Sequence, residues 1–506
     1  MDKRSSKPRA AFLACVVANL AGCSGTVPVK PIKVVADPDP PRALPLGLLA
    51  EERRLLGERS MDWGLALSGG GLRSGFFSLG VLKALYDKGV LDDVDIISTV
   101  SGGGYTGYWL YANHLADRQR GERFGAASLS DGIFPRRLCE LMTKSNFVPY
   151  GKLRGILRKK LSARTVEVYE QSLLRTFGSA EPQDGLRLPD LAPTMARHEA
   201  PYLIQNATII LPPSDRSWQR KLIEFTPVFY GTSDIGYLRW GVASDTGPLP
   251  MRKTTAVSGA AFPPLKQTLP LRHPQSGLVG FRAHDGGKSE NLGAMALIRR
   301  GIPNVIVADA EHDPGYVFDA YRTLQAGLAL YGLDLKIPDI DTYLEKRKSA
   351  PYAVAVAKGR VTRRDTGEQV SAIYYIKAAM PHSIEADLAR ERAPGSPGAI
   401  AQKAYYTALE ASAGTSGAWQ CPKIQAARLP TKSWAAFNVA SYSDWLGKSI
   451  KARFVRVVSN ATGVAALRIE FPQYSTGDQS FYVDQAQAFI GLGYLEGNQV
   501  ETGSAR

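Results

Sequence analysis

Two turns rich in small residues carry the residue types best suited to chemistry. The first, from Ser68 to Gly75, reads Ser-Gly-Gly-Gly-Leu-Arg-Ser-Gly. Consecutive glycines let backbone N–H groups converge without obstruction by Cβ atoms, and at the start of a helix such a nest binds an anion or a developing oxyanion. The Gly-Lys-Ser/Thr of a nucleotide-binding phosphate loop is missing from this turn. A tight strand–helix connection without chemistry is the other interpretation.

The second turn reads Thr-Val-Ser-Gly-Gly and has Ser101 at its centre. It is similar to the nucleophile elbow Gly-x-Ser-x-Gly, in which a sharp strand-to-helix turn exposes a serine hydroxyl. Thr99 stands where that pattern has its first glycine. Gly102, Gly104 and Gly107 also fit the dinucleotide pattern Gly-x-Gly-x-x-Gly, but no second strand ending in an acidic residue follows about 20 residues later. A dinucleotide site is therefore poorly supported.

A third motif, Asp285 followed by Gly286 and Gly287, offers a carboxylate on a turn. Asp-Gly-Gly alone is typical of an ordinary turn. His284 precedes the aspartate, but neighbouring side chains in an extended segment point apart, so the two are poorly placed as a base and its orienting acid. The remaining histidines form no metal-like cluster in the sequence, and no metal or other cofactor is predicted.

Strand–turn–helix units must position these motifs. Asp62–Leu67 and Val94–Val100 are predicted to be buried strands, with helices over Gly75–Lys88 and Tyr105–Asp117. Such units in series predict a parallel sheet with helices on its faces. The other expected elements are a short helix at 46–58, strands at Tyr202–Leu211, Leu222–Tyr230 and Asn304–Ala308, a turn-prone stretch at Thr254–Pro264, and a loop entering a helix at Asp285–Arg300.

Taken in order, the motifs resemble the patatin-like phospholipase family: Gly-Gly-Gly-x-Arg, a serine elbow 28 positions beyond that arginine, and a distant Asp-Gly-Gly. The resemblance includes Ser258–Pro263 before the aspartate and Glu290–Gly293 after it. It is clear over residues 62–115 and 254–310. A weaker similarity at 471–494 is to larger patatin-like and cytosolic phospholipase relatives.

The resemblance implies an α/β fold, a patatin-like three-layer sandwich with a central, mostly parallel sheet, a helical insertion and a C-terminal extension. It also implies a serine acyl hydrolase of the lipase or phospholipase A type, which cleaves acyl esters of membrane phospholipids or lysophospholipids. The implied machinery is a Ser/Asp dyad. Ser101 would attack the ester carbonyl and Asp285 would take its proton, which gives an acyl-enzyme that water hydrolyses.

The same resemblance gives the first turn its roles. The backbone N–H groups of Gly69, Gly70 and Gly71 would form the oxyanion hole. Arg73 would act as a fixed charge on the glycine nest or on a lipid phosphate, or it would hold the loop by hydrogen bonds. The alternative from another class is a catalytically silent, lipid-anchored binding or adhesion protein on the same fold, an interpretation that Thr99 favours.

The amino-acid composition and net charge limit the classes of binding partner. The chain has 506 residues, 44% hydrophobic and 22% charged, which is typical of globular rather than disordered or polytopic membrane proteins. A formal charge of +15 favours nucleic acid, anionic membrane or acidic substrate. Nucleic-acid binding is disfavoured because no reader motif is present. Four cysteines are too few for a disulfide-built fold, and the pairing of Cys139 with Cys421 stays open.

The N-terminus has the pattern of a secretory signal. Residues 1–9 are basic, and the apolar run at 10–22 is too short to span a bilayer of about 30 Å. Leu-Ala-Gly-Cys, ending at Cys23, resembles the bacterial lipoprotein signal, whose cysteine is lipidated. Ser24 after it favours the outer membrane. The sequence thus predicts a lipid-anchored protein of the bacterial cell envelope.

Four regions are expected along the chain: a signal peptide at 1–22, a lipidated cysteine and proline-rich spacer at 23–58, a catalytic core at 59–330, and an extension at 331–506 that packs on the core. The core would contain a basic helical insertion at about 118–200.

Within that insertion, residues 152–164 (KLRGILRKKLSAR) combine unopposed Lys and Arg with leucines and an isoleucine at helical spacing. Such a helix suits an anionic lipid surface, so the stretch is a candidate membrane contact. A solvated helix packed on the core is the other interpretation.

Overall fold

The computed structural model describes residues 44–57, 60–118, 137–142, 146–147, 164–178, 185–211, 219–240, 248–261, 267–273, 277–346, 352, 354, 356–379, 472–473, 476 and 481–502. Cys23, Cys421, the side chain of Cys139 and residues 152–163 lie outside this description. The chain divides into two compact units. One is Met1–Pro38 with Leu211–Gln219, and the other, Asp39–Ile210 with Arg220–Arg506, contains the site described below.

The described strands are β1 (Trp63–Leu67), β2 (Ile96–Val100), β3 (Asn146–Phe147), β4 (Tyr202–Leu211), β5 (Gln219–Phe225), β6 (Phe229–Thr232), β7 (Gly236–Arg239), β8 (Gln267–His273), β9 (Gly277–His284), β10 (Asn304–Asp309), β11 (Leu333–Lys336), β12 (Val356–Arg363), β13 (Gln369–Lys377) and β14 (Phe481–Tyr482). The described helices are α1 (Leu46–Leu55), α2 (Gly71–Asp87), α3 (Gly102–Arg118), α4 (Leu138–Met142), α5 (Arg164–Phe177), α6 (Ala192–Ala196), α7 (Met251–Ser258), α8 (Ala294–Ile298), α9 (Asp319–Ala329), α10 (Pro338–Lys346) and α11 (Val483–Gly497).

One large mixed sheet organises the fold. In the described part of the chain its order is β11-β12-β13-β10-β1-β2-β4-β5-β6-β7, with β9 pairing both β4 and β8. The five central strands, β13, β10, β1, β2 and β4, are parallel, whereas β11, β12 and β6 to β9 pair antiparallel. Helices flank the sheet. The predicted α/β class with a mostly parallel central sheet is therefore confirmed.

The central strands are apolar on both faces because helices cover both faces. All of β2 and all of β1 except Trp63 are buried. Helix α2 is just as central, since every residue from Gly71 to Leu85 is buried. The carboxyl ends of parallel strands meet at one edge of a sheet, where ligands bind in open α/β folds. The turns after β1, β2 and β10 meet at that edge.

Most predicted elements are present with shifted ends. The strand at Tyr202–Leu211 is confirmed to the residue. The helices predicted at Gly75–Lys88 and Tyr105–Asp117 begin earlier than expected, since α2 begins at Gly71 and α3 at Gly102. Both helices therefore begin almost directly at the ends of their strands.

The turn expected at Thr254–Pro264 was a wrong prediction over its first half, where α7 is a helix. Threonines usually compete with helix formation by bonding to nearby backbone. Here Thr254 Oγ1 and Thr255 Oγ1 each donate to Met251 O at 2.9 Å within the helix. Thr255 Oγ1 also accepts from Gln205 on β4 at 2.7 Å, so tertiary contacts satisfy these hydroxyls.

The short helix expected at 46–58 is α1, and a buried ion cluster fixes it to the core. Arg300 Nε donates to Glu52 Oε2 at 2.9 Å, and Arg300 Nη2 donates to Glu224 Oε2 at 3.0 Å. The three side chains are at most 1% exposed. Among the described helices, none has both the length and the apolar character needed to cross a membrane.

Candidate active site

Ser101 occupies a sharp turn between β2 and α3, with φ of +49°, in the left-handed region that non-glycine residues rarely adopt. The two glycines that follow allow this turn to pack closely. A Cβ on Gly102 would lie 2.1 Å from Gly71 O, and one on Gly103 would lie 2.3 Å from Leu67 O. The serine turn thus rests directly on the end of β1 and the start of α2.

Thr99, the departure from the elbow pattern, is accommodated by packing. Its side chain is buried, and Thr99 Oγ1 donates to Ile204 O at 3.4 Å. A Cβ on Gly107 of α3 would lie 3.1 Å from Thr99 Cγ2. The bare Gly107 therefore provides the space that Thr99 occupies. This packing explains Gly107 without any dinucleotide.

Asp285 follows β9 and faces the serine. Ser101 Oγ donates to Asp285 Oδ2 at 2.9 Å, with no histidine between them. Gly287 N–H donates to Asp285 Oδ1 at 2.8 Å, which orients the carboxylate. Burial raises the pKa of Asp285 to about 6, against hydrogen bonds from Gly287 and Ser101 that lower it. The carboxylate is thus mainly ionised at pH 7, and its pKa is close enough to that pH for it to accept a proton during a reaction.

A second serine supports the nucleophile. Ser101 N–H donates to Ser258 Oγ at 2.7 Å, and Ser258 Oγ donates to Asn206 O at 2.5 Å. Sequence reasoning included Ser258 only within the family resemblance and gave it no role. Its function here is to satisfy a buried N–H at the strained turn.

The glycine turn presents two candidate donors. Gly69 N–H donates to Asn291 O at 2.8 Å, so this N–H is used in holding the loop. Gly70 has φ of +151° and Gly71 has φ of +63°. No described residue accepts from Gly70 N–H, and Gly71 opens α2, where the first N–H groups lack intrahelical partners. Of the three predicted oxyanion glycines, Gly70 lines the cavity at Ser101, whereas Gly69 and Gly71 are not among the described residues that line it.

Arg73 lies behind this loop. Its side chain is 1% exposed, and it is not among the described residues that line the cavity at Ser101. Arg73 Nε donates to Ala310 O at 2.8 Å, and Arg73 Nη2 donates to Thr476 Oγ1 at 3.3 Å. Burial lowers the pKa of Arg73 to about 10, against the nearby Asp309, Glu311 and Asp313, so it is cationic at neutral pH. Of its two predicted roles, this position fits holding the loop.

Ser101 and Asp285 open into a cavity of about 390 Å³ that Gly70 also lines. Its remaining charged and polar lining includes Lys288, Glu311, His312, Asp319 and Thr476. Sequence reasoning assigned roles to none of these five. Asp-Ala-Glu-His-Asp at 309–313 could have been found, because it follows a buried parallel strand at the edge where such sheets bind ligands. Thr476 lies within the weaker family similarity at 471–494, which gave it no role.

A buried cation holds the 309–313 segment. Lys377 Nζ lies 2.7 Å from Asp309 Oδ2, 3.3 Å from Asp313 Oδ2 and 4.0 Å from Glu311 Oε2. These carboxylates raise the pKa of Lys377 despite its complete burial. Burial and the neighbouring Asp309 raise the pKa of Glu311 to about 7. Within the described ranges, no group of three or more His, Cys, Asp or Glu residues is arranged to hold a metal ion.

Comparison with protein families places this site in a known class. Residues 65–297 match the family model for patatin-like phospholipase. That range contains the glycine turn, Ser101 and Asp285. This part of the chain is a patatin-like phospholipase domain.

One solved structure shares the fold at low sequence identity, and others align more weakly. Human GIVD cytosolic phospholipase A2 aligns with a TM-score of 0.51 and 12% identity, over 89% of this chain and 65% of that one. This chain thus spans about 65% of the length of that relative. VipD from Legionella pneumophila aligns with a TM-score of 0.23 and 17% identity over 50% of each chain. ExoU of Pseudomonas aeruginosa, in complex with SpcU, aligns with a TM-score of 0.19 and 19% identity, over 40% of this chain and 38% of that one. No curated protein sequence matches the chain.

Proposed function

We propose that the chain is a serine acyl hydrolase that cleaves acyl esters of membrane phospholipids or lysophospholipids through Ser101 and Asp285. The observation that carries the proposal is the direct hydrogen bond from Ser101 Oγ to Asp285 Oδ2, 2.9 Å long, beside Gly70 in one cavity. A nucleophile hydroxyl within hydrogen-bond reach of its base is the geometry that covalent acyl transfer needs.

In the first half-reaction, Ser101 Oγ attacks the ester carbonyl carbon while its proton passes to Asp285 Oδ2. The carbonyl oxygen becomes an oxyanion that accepts hydrogen bonds from the N–H groups of Gly70 and Gly71. The tetrahedral intermediate then collapses. Asp285 returns the proton to the leaving alcohol oxygen, and the acyl group stays on Ser101 Oγ.

In the second half-reaction, water attacks the acyl-enzyme and Asp285 takes the proton of that water. Collapse releases the fatty acid and restores the Ser101 hydroxyl. A general base works best when its pKa lies near the operating pH. The raised pKa of Asp285, about 6, meets that requirement without a histidine.

The test is lipid hydrolysis by wild type and Ser101→Ala on a mixed phospholipid panel, with fluorophosphonate labelling in parallel. Wild type should release fatty acid and be labelled at Ser101, and Ser101→Ala should do neither while its circular dichroism is unchanged. Equal hydrolysis by the variant would refute the nucleophile. A folded wild type that neither hydrolyses nor labels would favour the catalytically silent binding or adhesion protein.

The proposed location is the bacterial envelope, with the chain anchored to the outer membrane through lipid on Cys23. The support is the Leu-Ala-Gly-Cys pattern after a short apolar run. The formal charge of +15, which becomes +12 (15 − 3) once residues 1–22 are removed, adds attraction to anionic lipid. Cys23→Ser should abolish incorporation of labelled palmitate and move the protein out of the membrane fraction. Unchanged palmitate labelling in that variant would contradict the anchor.

A further inference from the structure

The hydrogen bonds of Arg73 link the glycine turn to a distant part of the chain. Its guanidinium has two partners among the described residues, Ala310 O at Nε and Thr476 Oγ1 at Nη2, while Nη1 has none. Thr476 lies 403 positions beyond Arg73. Because the group is buried and charged, each of the two hydrogen bonds matters to where it sits.

The same guanidinium touches the proposed oxyanion loop. A Cβ on Gly70 would lie 3.1 Å from Arg73 Nη2 and 2.3 Å from Ala310 O. Ala310 N–H also donates to Ser68 Oγ at 2.8 Å. The Gly70 turn is therefore packed closely against both Arg73 and Ala310, whose positions constrain the backbone at Gly70.

Gln473 reinforces the second of these supports. Its Oε1 accepts from Asp313 N–H at 2.7 Å, and its Nε2 donates to Ala378 O at 2.8 Å. The side chain is 4% exposed. It thus joins the segment after β10, which carries Ala310, to the end of β13.

Helix α11 supports the glycine turn indirectly, because its backbone packs directly on the backbone of α2, the helix that follows the turn. A Cβ on Gly80 would lie 2.0 Å from Ile490 O. Lys88 Nζ, just beyond α2, donates to Val500 O at 2.6 Å. Because α2 begins at Gly71, this packing holds the helix whose first residue is a proposed oxyanion donor.

We infer that the C-terminal segment, meaning the described residues 472–473, 476 and 481–500, completes the active site by positioning the oxyanion loop, with Thr476 as a positioning residue that acts through Arg73. The inference rests on the proposed function, since it assigns a role within that reaction. Thr476 does not touch the reacting atoms in this role. It fixes the guanidinium against which Gly70 lies.

The decisive variants are Thr476→Val, which keeps the shape and loses the hydroxyl, and Thr476→Ser, which keeps the hydroxyl. Thr366→Val, in the exposed turn between β12 and β13, is the matched control. With p-nitrophenyl butyrate, a soluble ester, Thr476→Val should lower kcat roughly 10- to 100-fold with KM nearly unchanged, as loss of a transition-state interaction requires. Thr476→Ser should restore most of the rate, and Thr366→Val should match wild type.

Fluorophosphonate labelling gives an independent measurement, because the phosphoryl oxygen of the probe uses the same oxyanion donors. Its second-order rate should fall by a similar factor in Thr476→Val. Thr476→Ala, which removes the same hydroxyl without added bulk, replaces the valine variant if that one does not fold.

An unchanged kcat in both hydroxyl-free variants would overturn the inference. So would a raised KM with unchanged kcat, which would make Thr476 a substrate contact. Either result leaves the proposed function intact, because wild type is active and Ser101→Ala is not. An inactive wild type would instead overturn the proposed function itself.

Discussion

The two walls of the catalytic cavity are built in different ways. The nucleophile wall, Ser101 and Asp285, consists of two short turns that each follow a strand directly. The oxyanion wall, Gly70 and Gly71 with Arg73 behind them, is supported by segments from 309–313, Lys377 and the C-terminal segment. Both walls depend on tertiary folding, since Ser101 and Asp285 are themselves 184 positions apart. The difference is that local turn motifs mark both residues of the first wall, whereas the residues that support the second wall lie in no such motif.

The two walls also differ in their electrostatics. Among the described residues, the cation that acts on Asp285 is the half-buried Lys288, and burial raises the pKa of Asp285 to about 6. The oxyanion wall has two buried cations, Arg73 and Lys377, among carboxylates. One wall is suited to moving a proton near neutral pH. The other holds fixed charges that keep a loop in place.

The largest expected effect comes from the nucleophile wall. Asp285→Asn keeps the shape and the acceptor for Gly287 N–H but cannot take the serine proton, so kcat/KM should fall roughly 10³- to 10⁴-fold. Asp365→Asn, in an exposed turn, is the matched control and should match wild type. Steady-state ester hydrolysis measures both. A loss under tenfold for Asp285→Asn would show that another group is the base.

The oxyanion wall is tested by Gly70→Ala. Its Cβ would meet Ala310 O at 2.3 Å, and φ of +151° is unfavourable for alanine, so the loop must shift and misdirect its N–H groups. We expect kcat to fall roughly 10²- to 10³-fold, as for loss of one oxyanion donor. Gly89→Ala, also at positive φ but in open space, should lower the melting temperature and leave kcat unchanged. Equal kcat values in the two variants would show that Gly70 is not an oxyanion donor.

The smallest expected effect is a gradual dependence of kcat/KM on pH. Only ionised Asp285 can accept the serine proton, so kcat/KM should be level above about pH 6 and fall about tenfold per unit below it. Glu311 on the other wall has its pKa raised to about 7. The acidic limb should therefore stay near pH 6 in Glu311→Gln. A limb near 7 that disappears in this variant would assign the titration to the oxyanion wall.

The contrast between the walls also explains what the sequence could predict. Ser101 and Asp285 lie in motifs whose small residues are required by a tight turn, and such requirements are visible locally. Even Thr99, which departs from the pattern, needed only the space above Gly107. The central strands were equally clear, because burial on both faces makes them continuously apolar.

Thr476 and Lys377 could not be predicted in the same way. Their partners are distant in sequence, 403 positions for Thr476 and 68 for Lys377 with Asp309, and, unlike Ser101 and Asp285, neither residue lies in a turn motif that assigns it a role. The turn expected at Thr254–Pro264 failed for the same reason. Propensity disfavours a helix there, and contacts with β4 reverse the balance.

The left-handed backbone at Ser101 has a consequence for the stability of the domain. For a side chain with a Cβ, that conformation costs on the order of 1–2 kcal/mol, and a glycine would adopt it freely. Total stabilities of domains are only about 5–15 kcal/mol, so this cost is a sizeable fraction of the whole. The hydrogen bond from Ser101 Oγ to the buried Asp285 acts in the opposite direction, because its loss would leave a buried carboxylate with one partner fewer. The strained turn and the Ser101–Asp285 pair therefore offset each other in the folding equilibrium.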